Sequence, residues 1–83
     1  MNALARNSKQ IGNIIRSARK RMNMTQADLG EKTGLRQETI SLIETGTSSA
    51  RIDSLLAVLA ALELEFRIAP RASAWGNDEE GTP

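Results

Sequence analysis

Cysteine and histidine are both missing from this chain of 83 residues. Without them no disulfide framework, no zinc ligand set and no Cys- or His-based catalysis can be assembled. No apolar run approaches the ~18 residues a membrane helix needs, and the N-terminus lacks a signal-peptide layout, so a cytoplasmic location is expected. Nor is there a phosphate-cradling glycine loop, and the carboxylates are scattered over positions expected at the surface. An enzyme, a metal centre and a cofactor site are therefore not indicated. A chain this short buries only about 60 to 65% of its unfolded surface and gains from a partner subunit.

Net charge is also nearly absent, at +1, but that balance hides an uneven distribution. Arg6, Lys9, Arg16, Arg19, Lys20 and Arg21 all fall before Met24 with no acid among them, leaving five cations and ten acids for the rest. A basic first segment suits contact with nucleic-acid phosphates. The competing reading, a solvated face that keeps the protein soluble, applies to part of the set.

What is present is a tight two-helix pattern from Gln26 to Gly46. Thr25 stands where an N-cap is needed, with Asp28 three residues on, favourable at the positive end of a helix. Gly34 falls where the short helix must stop in a left-handed residue. Leu35 follows as a buried contact, and Gln37 to Thr45 resumes a helical period with Ile40 and Ile43 inward. This is the layout of a helix-turn-helix, which delivers its second helix into the DNA major groove. Arg36, Gln37, Glu38 and Ser41 are left outward on that helix and are the expected base readers. Gln pairs in bidentate fashion with adenine and Arg with guanine, Glu accepts from the cytosine amino group, and Ser adapts. Phosphate contacts are expected from Thr25 and Gln26 at the start of the first helix, from Lys9, Arg16, Arg19 and Lys20, and from Ser48 in the polar loop that follows Gly46.

The run T-Q-A-D-L-G-E-K-T-G-L-R-Q-E-T-I-S-L-I-E-T-G resembles the Xre/Cro-type helix-turn-helix regulators, which are similar to the phage repressors. The resemblance covers about Ile11 to Leu62. It implies an all-α bundle of four to five helices, lambda-repressor-like, binding double-stranded DNA at a palindromic operator. Gly30, where the family most often has Ala, and Arg36, where many members have Ser or Thr, depart from the pattern. The first weakens the helix and the second bears on base preference.

Around this unit, residues 1–8 form a flexible arm, 9–70 the DNA-binding and dimerisation domain, and 71–83 a disordered tail. Ser8 can cap a first helix over Lys9 to Arg21 or Met22, whose stripe is Ile11, Ile14, Ile15, Ala18 and Met22. A fourth helix over Arg51 to Leu62 offers Ile52, Leu55, Leu56, Leu59 and Leu62 as its apolar face. From Glu63 to Ala69 the pattern alternates strictly, with Leu64, Phe66 and Ile68 on one side, before Pro70 stops it. A lone strand needs a second, and the same strand of another subunit about a two-fold axis is the simplest source. Continuation of the fourth helix is the other reading.

The fourth-helix run followed by L-E-L-E-F looks like the HipB-like antitoxins, DNA-binding partners of HipA-type kinase toxins. That resemblance implies an autoregulating operon repressor that sequesters a kinase toxin, with a C-terminal strand pairing across a homodimer. Trp75, the only tryptophan, lies in the acidic tail before Asp78, Glu79 and Glu80. It either docks on the toxin or packs back on its own dimer. A stand-alone dimeric regulator with no toxin partner is the alternative.

Overall fold

The computed structural model describes residues 3–47 and 49–71, so Ser48 and Trp75 lie outside the described residues. Four helices are present among them: α1 Ser8–Arg21, α2 Gln26–Thr33, α3 Gln37–Thr45 and α4 Ile52–Ala61. The expected capping residue of α1 is displaced by one position. Asn7, not Ser8, is the cap, its Oδ1 accepting from the Gln10 N–H at 2.8 Å.

Helix α1 buries Ile15 and Ala18, with Ile11 and Ile14 half-buried, while Met22 at the end of the stripe is exposed. Its Asn23 takes φ 57°, which Asn tolerates, and the Met24 N–H returns to the Arg19 carbonyl at 3.1 Å. That pairing closes the helix and turns the chain toward α2. Leu29 from α2, Ile40 and Ile43 from α3, and Val58 and Leu62 from α4 complete one buried cluster. The strongest packing is of α1 on α3, and it is glycine that lets the two come together. A Cβ on Gly12 would lie 2.5 Å from the Ile43 carbonyl oxygen and nearer still to that of Glu44. At the other end of the crossing, Gly46 has φ 70° and lies against the Lys9 backbone.

Helix α4 differs from its expected face. Val58 is fully buried, Leu55 and Leu59 are half-buried, and Ile52 and Leu56 stand exposed. Leu55, Val58, Leu59 and Leu62 recur at i, i+3, i+4 and i+7 and form the inner stripe; Ile52 and Leu56 sit on its flank, where none of the described residues covers them.

The strand expected over Glu63–Ala69 is not formed among the described residues. Glu63 takes a left-handed φ of 60°, and the Leu64 N–H returns to the Leu59 carbonyl at 2.8 Å, which ends α4. Helix α4 therefore does not continue. Residues 64–71 leave it without helix, and no strand ladder forms among the described residues. Leu64 packs on the core while Phe66 and Ile68 are exposed.

Candidate nucleic-acid interface

The start of α2 is held by a reciprocal cap. The Asp28 N–H donates to Thr25 Oγ1 at 3.0 Å and the Thr25 N–H donates to Asp28 Oδ2 at 2.9 Å. These bonds from the Thr25 backbone and side chain hold the Asp28 carboxyl below its ordinary pKa. Of the four N–H groups that a helix start leaves without intrahelical partners, those of residues 25–28, the reciprocal cap satisfies two, those of Thr25 and Asp28. The N–H groups of Gln26 and Ala27 are left for an anion at the positive end of the helix. Replacing Thr25 with Ala should cost ~1 kcal/mol in urea unfolding. Because the folded pKa of Asp28 is depressed, its contribution is fully present above the unfolded carboxylate pKa of ~3.9. It is lost as pH falls through the lower folded value, and Thr25→Ala should flatten that acid limb.

Gly34 ends α2 in the left-handed region, φ 77°. Close behind it, a Cβ on Gly30 would lie 2.8 Å from the Leu35 carbonyl, which accounts for glycine where Ala is more usual in Xre-type regulators. The turn leads into α3, whose cap residue Arg36 makes no side-chain capping bond. Arg36, Gln37 and Glu38 are exposed at this open helix start, and Ser41 follows one turn on, half-buried. Ile40 and Ile43, on the opposite side, anchor the helix in the core. The ion pairs among the described residues are Arg19–Glu44, Arg51–Asp53 and Arg67–Glu65, so Arg36 and Glu38 have no charged partner among the described residues. Their hydrogen-bonding groups are available to a ligand.

The structure divides the expected phosphate contacts. Lys9, Arg16 and Lys20 are exposed along α1 and make no ion pair among the described residues, as phosphate contact requires. Thr25 is exposed at the start of α2, its hydroxyl oxygen accepting from the Asp28 N–H. Gln26 is half-buried, and its amide donates inward to Glu44 Oε1 at 3.2 Å.

Arg19 is not a surface cation. Its side chain is buried with that of Glu44, Nε donating to Oε2 at 2.6 Å and Nη2 to Oε1 at 3.0 Å. Nη1 donates to the Met24 carbonyl at 2.7 Å, so every arm of the guanidinium is engaged inside the protein. The hydrogen bond to Glu44 raises the Arg19 pKa, against the opposing effect of burial, so the group stays charged. Glu44 likewise departs from the expectation of surface carboxylates. The pair joins α1, the loop before α2 and the end of α3, and through Gln26 it reaches the start of α2. It sets the mutual position of the two helices that would meet DNA. A sequence signal for it exists: Arg19 lies four residues after Ile15 and Glu44 four after Ile40, both on inner stripes.

Two short helices joined by a left-handed glycine, the second anchored by isoleucines and open at its polar start, define a helix-turn-helix domain. Residues 15–68 match the helix-turn-helix family HTH_3. The chain belongs to this helix-turn-helix family. It is 38% identical over 68 residues to an uncharacterised HTH-type transcriptional regulator, y4dL, of Sinorhizobium fredii, a match covering 82% of this chain. The chain spans about a third of that relative's length, 35%.

Among solved structures, a single-site variant of HipB in complex with an O2 20mer superposes with TM-score 0.77 at 26% identity. That match covers 84% of this chain and 97% of the other. HipB in a HipA–HipB–O2–O3 complex superposes with TM-score 0.74 at 25% identity, covering 81% and 94%. The fold is thus HipB-like. No helix among the described residues is long and apolar enough to cross a membrane.

Proposed function

We propose that this chain is a sequence-specific DNA-binding repressor that acts as a homodimer on a palindromic operator and serves as antitoxin to a HipA-like kinase toxin. The observation that carries the DNA reading is the open start of α3, where Arg36, Gln37 and Glu38 stand exposed at the end of the helix that enters the groove first. Arg36, Gln37, Glu38 and Ser41 choose sequence. Thr25, the N–H groups at the start of α2, Lys9, Arg16 and Lys20 neutralise phosphate. Arg19 supports that surface from beneath.

Gln37→Ala should lose ~1 to 3 kcal/mol against the preferred site while non-specific binding is nearly unchanged. Fluorescence anisotropy against a cognate and a scrambled duplex measures both; equal loss on the two removes Gln37 from base reading.

The dimer reading rests on apolar side chains that the described residues leave uncovered: Ile52 and Leu56 on α4, and Phe66 and Ile68 beyond it. Leu64, Phe66 and Ile68 are assigned to the two-fold contact. Phe66→Asp should make the chain monomeric in sedimentation without changing its helix content, and a dimer that persists rules this contact out.

The antitoxin reading is supported by the likeness to HipB, which was solved in complex with HipA. Pull-downs from host lysate with the whole chain and with a version ending at Pro70 test it. A kinase held by the whole chain and lost on truncation places docking in the segment containing Trp75, and one held by both places it on the folded dimer. A chain that binds DNA but holds no kinase is a stand-alone regulator.

A further inference from the structure

We infer that Leu42 reads thymine: in each half-site its side chain packs on the 5-methyl group of one thymine in the major groove, beyond the polar residues at the start of α3. This rests on the DNA reading proposed above and assigns one base of the site that the protein selects.

Four residues of α3 are exposed, Gln37, Glu38, Leu42 and Thr45. Leucine alone among them has no hydrogen-bonding group in its side chain. At 45% exposure it is the one large apolar side chain of α3 left open to solvent. Ile40, Ile43 and Glu44 occupy the buried side of the helix. Leu42 follows Glu38 by four residues, so the two share the outward face, one turn or about 6 Å apart along the axis. With α3 lying along the groove and base pairs spaced by about 3.4 Å, Leu42 lies roughly two pairs beyond the one that Glu38 meets.

No described residue competes for that position. Leu42 borders an open groove of about 300 Å³ together with Ala50, Arg51 and Ser54 around the start of α4, so α4 does not cover it from that side. Thr45, three residues on, turns its hydroxyl back on its own helix, donating to the Ser41 carbonyl at 3.1 Å.

A single exposed leucine on an ordinary surface needs no explanation. On the face that enters the groove, however, its apolar surface is stripped of water against whichever base lies beneath it. The 5-methyl group of thymine is the apolar group that a base presents in the major groove, and leucine set against it buries both. Over a G·C pair the same side chain would cover the cytosine amino group and remove its hydrogen bond to water without replacing it. Base preference therefore arises from a side chain that donates and accepts nothing.

Deoxyuridine tests this, because it removes the methyl group and leaves every hydrogen-bonding group of the A·T pair in place. In the duplex that the full-length chain selects from a randomised pool, each symmetric pair of thymines is replaced in turn. At one such pair the wild-type Kd should rise about fourfold per methyl group, roughly 15-fold over the two half-sites. Leu42→Ala should be indifferent to the same replacement. 5-Methylcytosine at that position carries the methyl group beside the amino group, and should bind the wild type more weakly than thymine and more tightly than cytosine. Circular dichroism and sedimentation should show Leu42→Ala with the wild-type helix content and oligomeric state.

Wild-type affinity that no deoxyuridine changes overturns the assignment, as does an equal loss in wild type and Leu42→Ala; both leave DNA reading by α3 standing. A Leu42→Ala chain that changes its oligomeric state but not its base preference makes Leu42 a protein contact and likewise overturns it. A wild-type chain that selects no sequence overturns the DNA reading itself.

Discussion

Glu44→Ala should destabilise the protein by ~3 to 5 kcal/mol, because it leaves the buried Arg19 cation without its partner. The total stability of a domain this size is roughly 4 to 12 kcal/mol, so the variant is partly unfolded at ordinary temperature. The geometry supports a loss in this range. Both carboxylate oxygens of Glu44 are used, by Arg19 Nε, Arg19 Nη2 and the Gln26 amide, and the side chain is nearly inaccessible. Urea unfolding followed by circular dichroism measures it. Converting both partners, Arg19→Met with Glu44→Leu, should recover most of the loss, since the cost comes from an orphaned charge more than from a missing attraction. If the double variant is no better than Glu44→Ala, the pair stabilises by some route other than charge compensation. If Glu44→Ala costs less than ~1 kcal/mol, the pair is as weak as a solvent-exposed one.

Gly12→Ala is the second large effect. Helix propensity alone predicts a gain of up to ~1 kcal/mol. The added methyl group, however, would fall on the backbone carbonyls of Ile43 and Glu44, which cannot rotate away as a side chain would. Overpacking typically costs ~1 to 3 kcal/mol, and two backbone contacts place Gly12→Ala at or above the upper end. The displacement also separates Arg19 from Glu44, because the same two helices carry them. Stability and DNA affinity should therefore fall together. A stabilised Gly12→Ala protein would mean that α1 and α3 do not cross as closely as described.

The parts of the fold set by local chemistry are legible in the sequence. Thr25 with Asp28 marks the start of α2, Gly34 its end, and Ile40 with Ile43 the inner side of α3. Those three features alone place Arg36, Gln37 and Glu38 at the exposed helix start. What is not legible depends on segments far apart in the chain. Arg19 looks like one of six surface cations until α3 brings Glu44 against it, and Gly12 is an unremarked helical position until the same helix crosses it. Ile52 and Leu56 belong to an apolar helix whose flank is as hydrophobic as its core face, and only the neighbours decide which side is covered. Asn23 and Glu63 adopt the left-handed conformation without being glycine. The local pattern therefore places the end of α1 at Arg21 or Met22, as found, but gives no mark of the left-handed turns at Asn23 and Glu63 that follow α1 and α4.

The central claim is that the start of α3 reads DNA sequence from a two-fold dimer, and selection of binding sites from a randomised duplex pool tests it most directly. The wild-type chain should enrich an inverted repeat with half-sites about one helical turn, ~34 Å, apart, and Gln37→Ala should lose preference at one symmetric pair of positions. Retention of DNA with no enriched sequence, or an enriched site unchanged by Gln37→Ala, Arg36→Ala and Glu38→Ala alike, would contradict it.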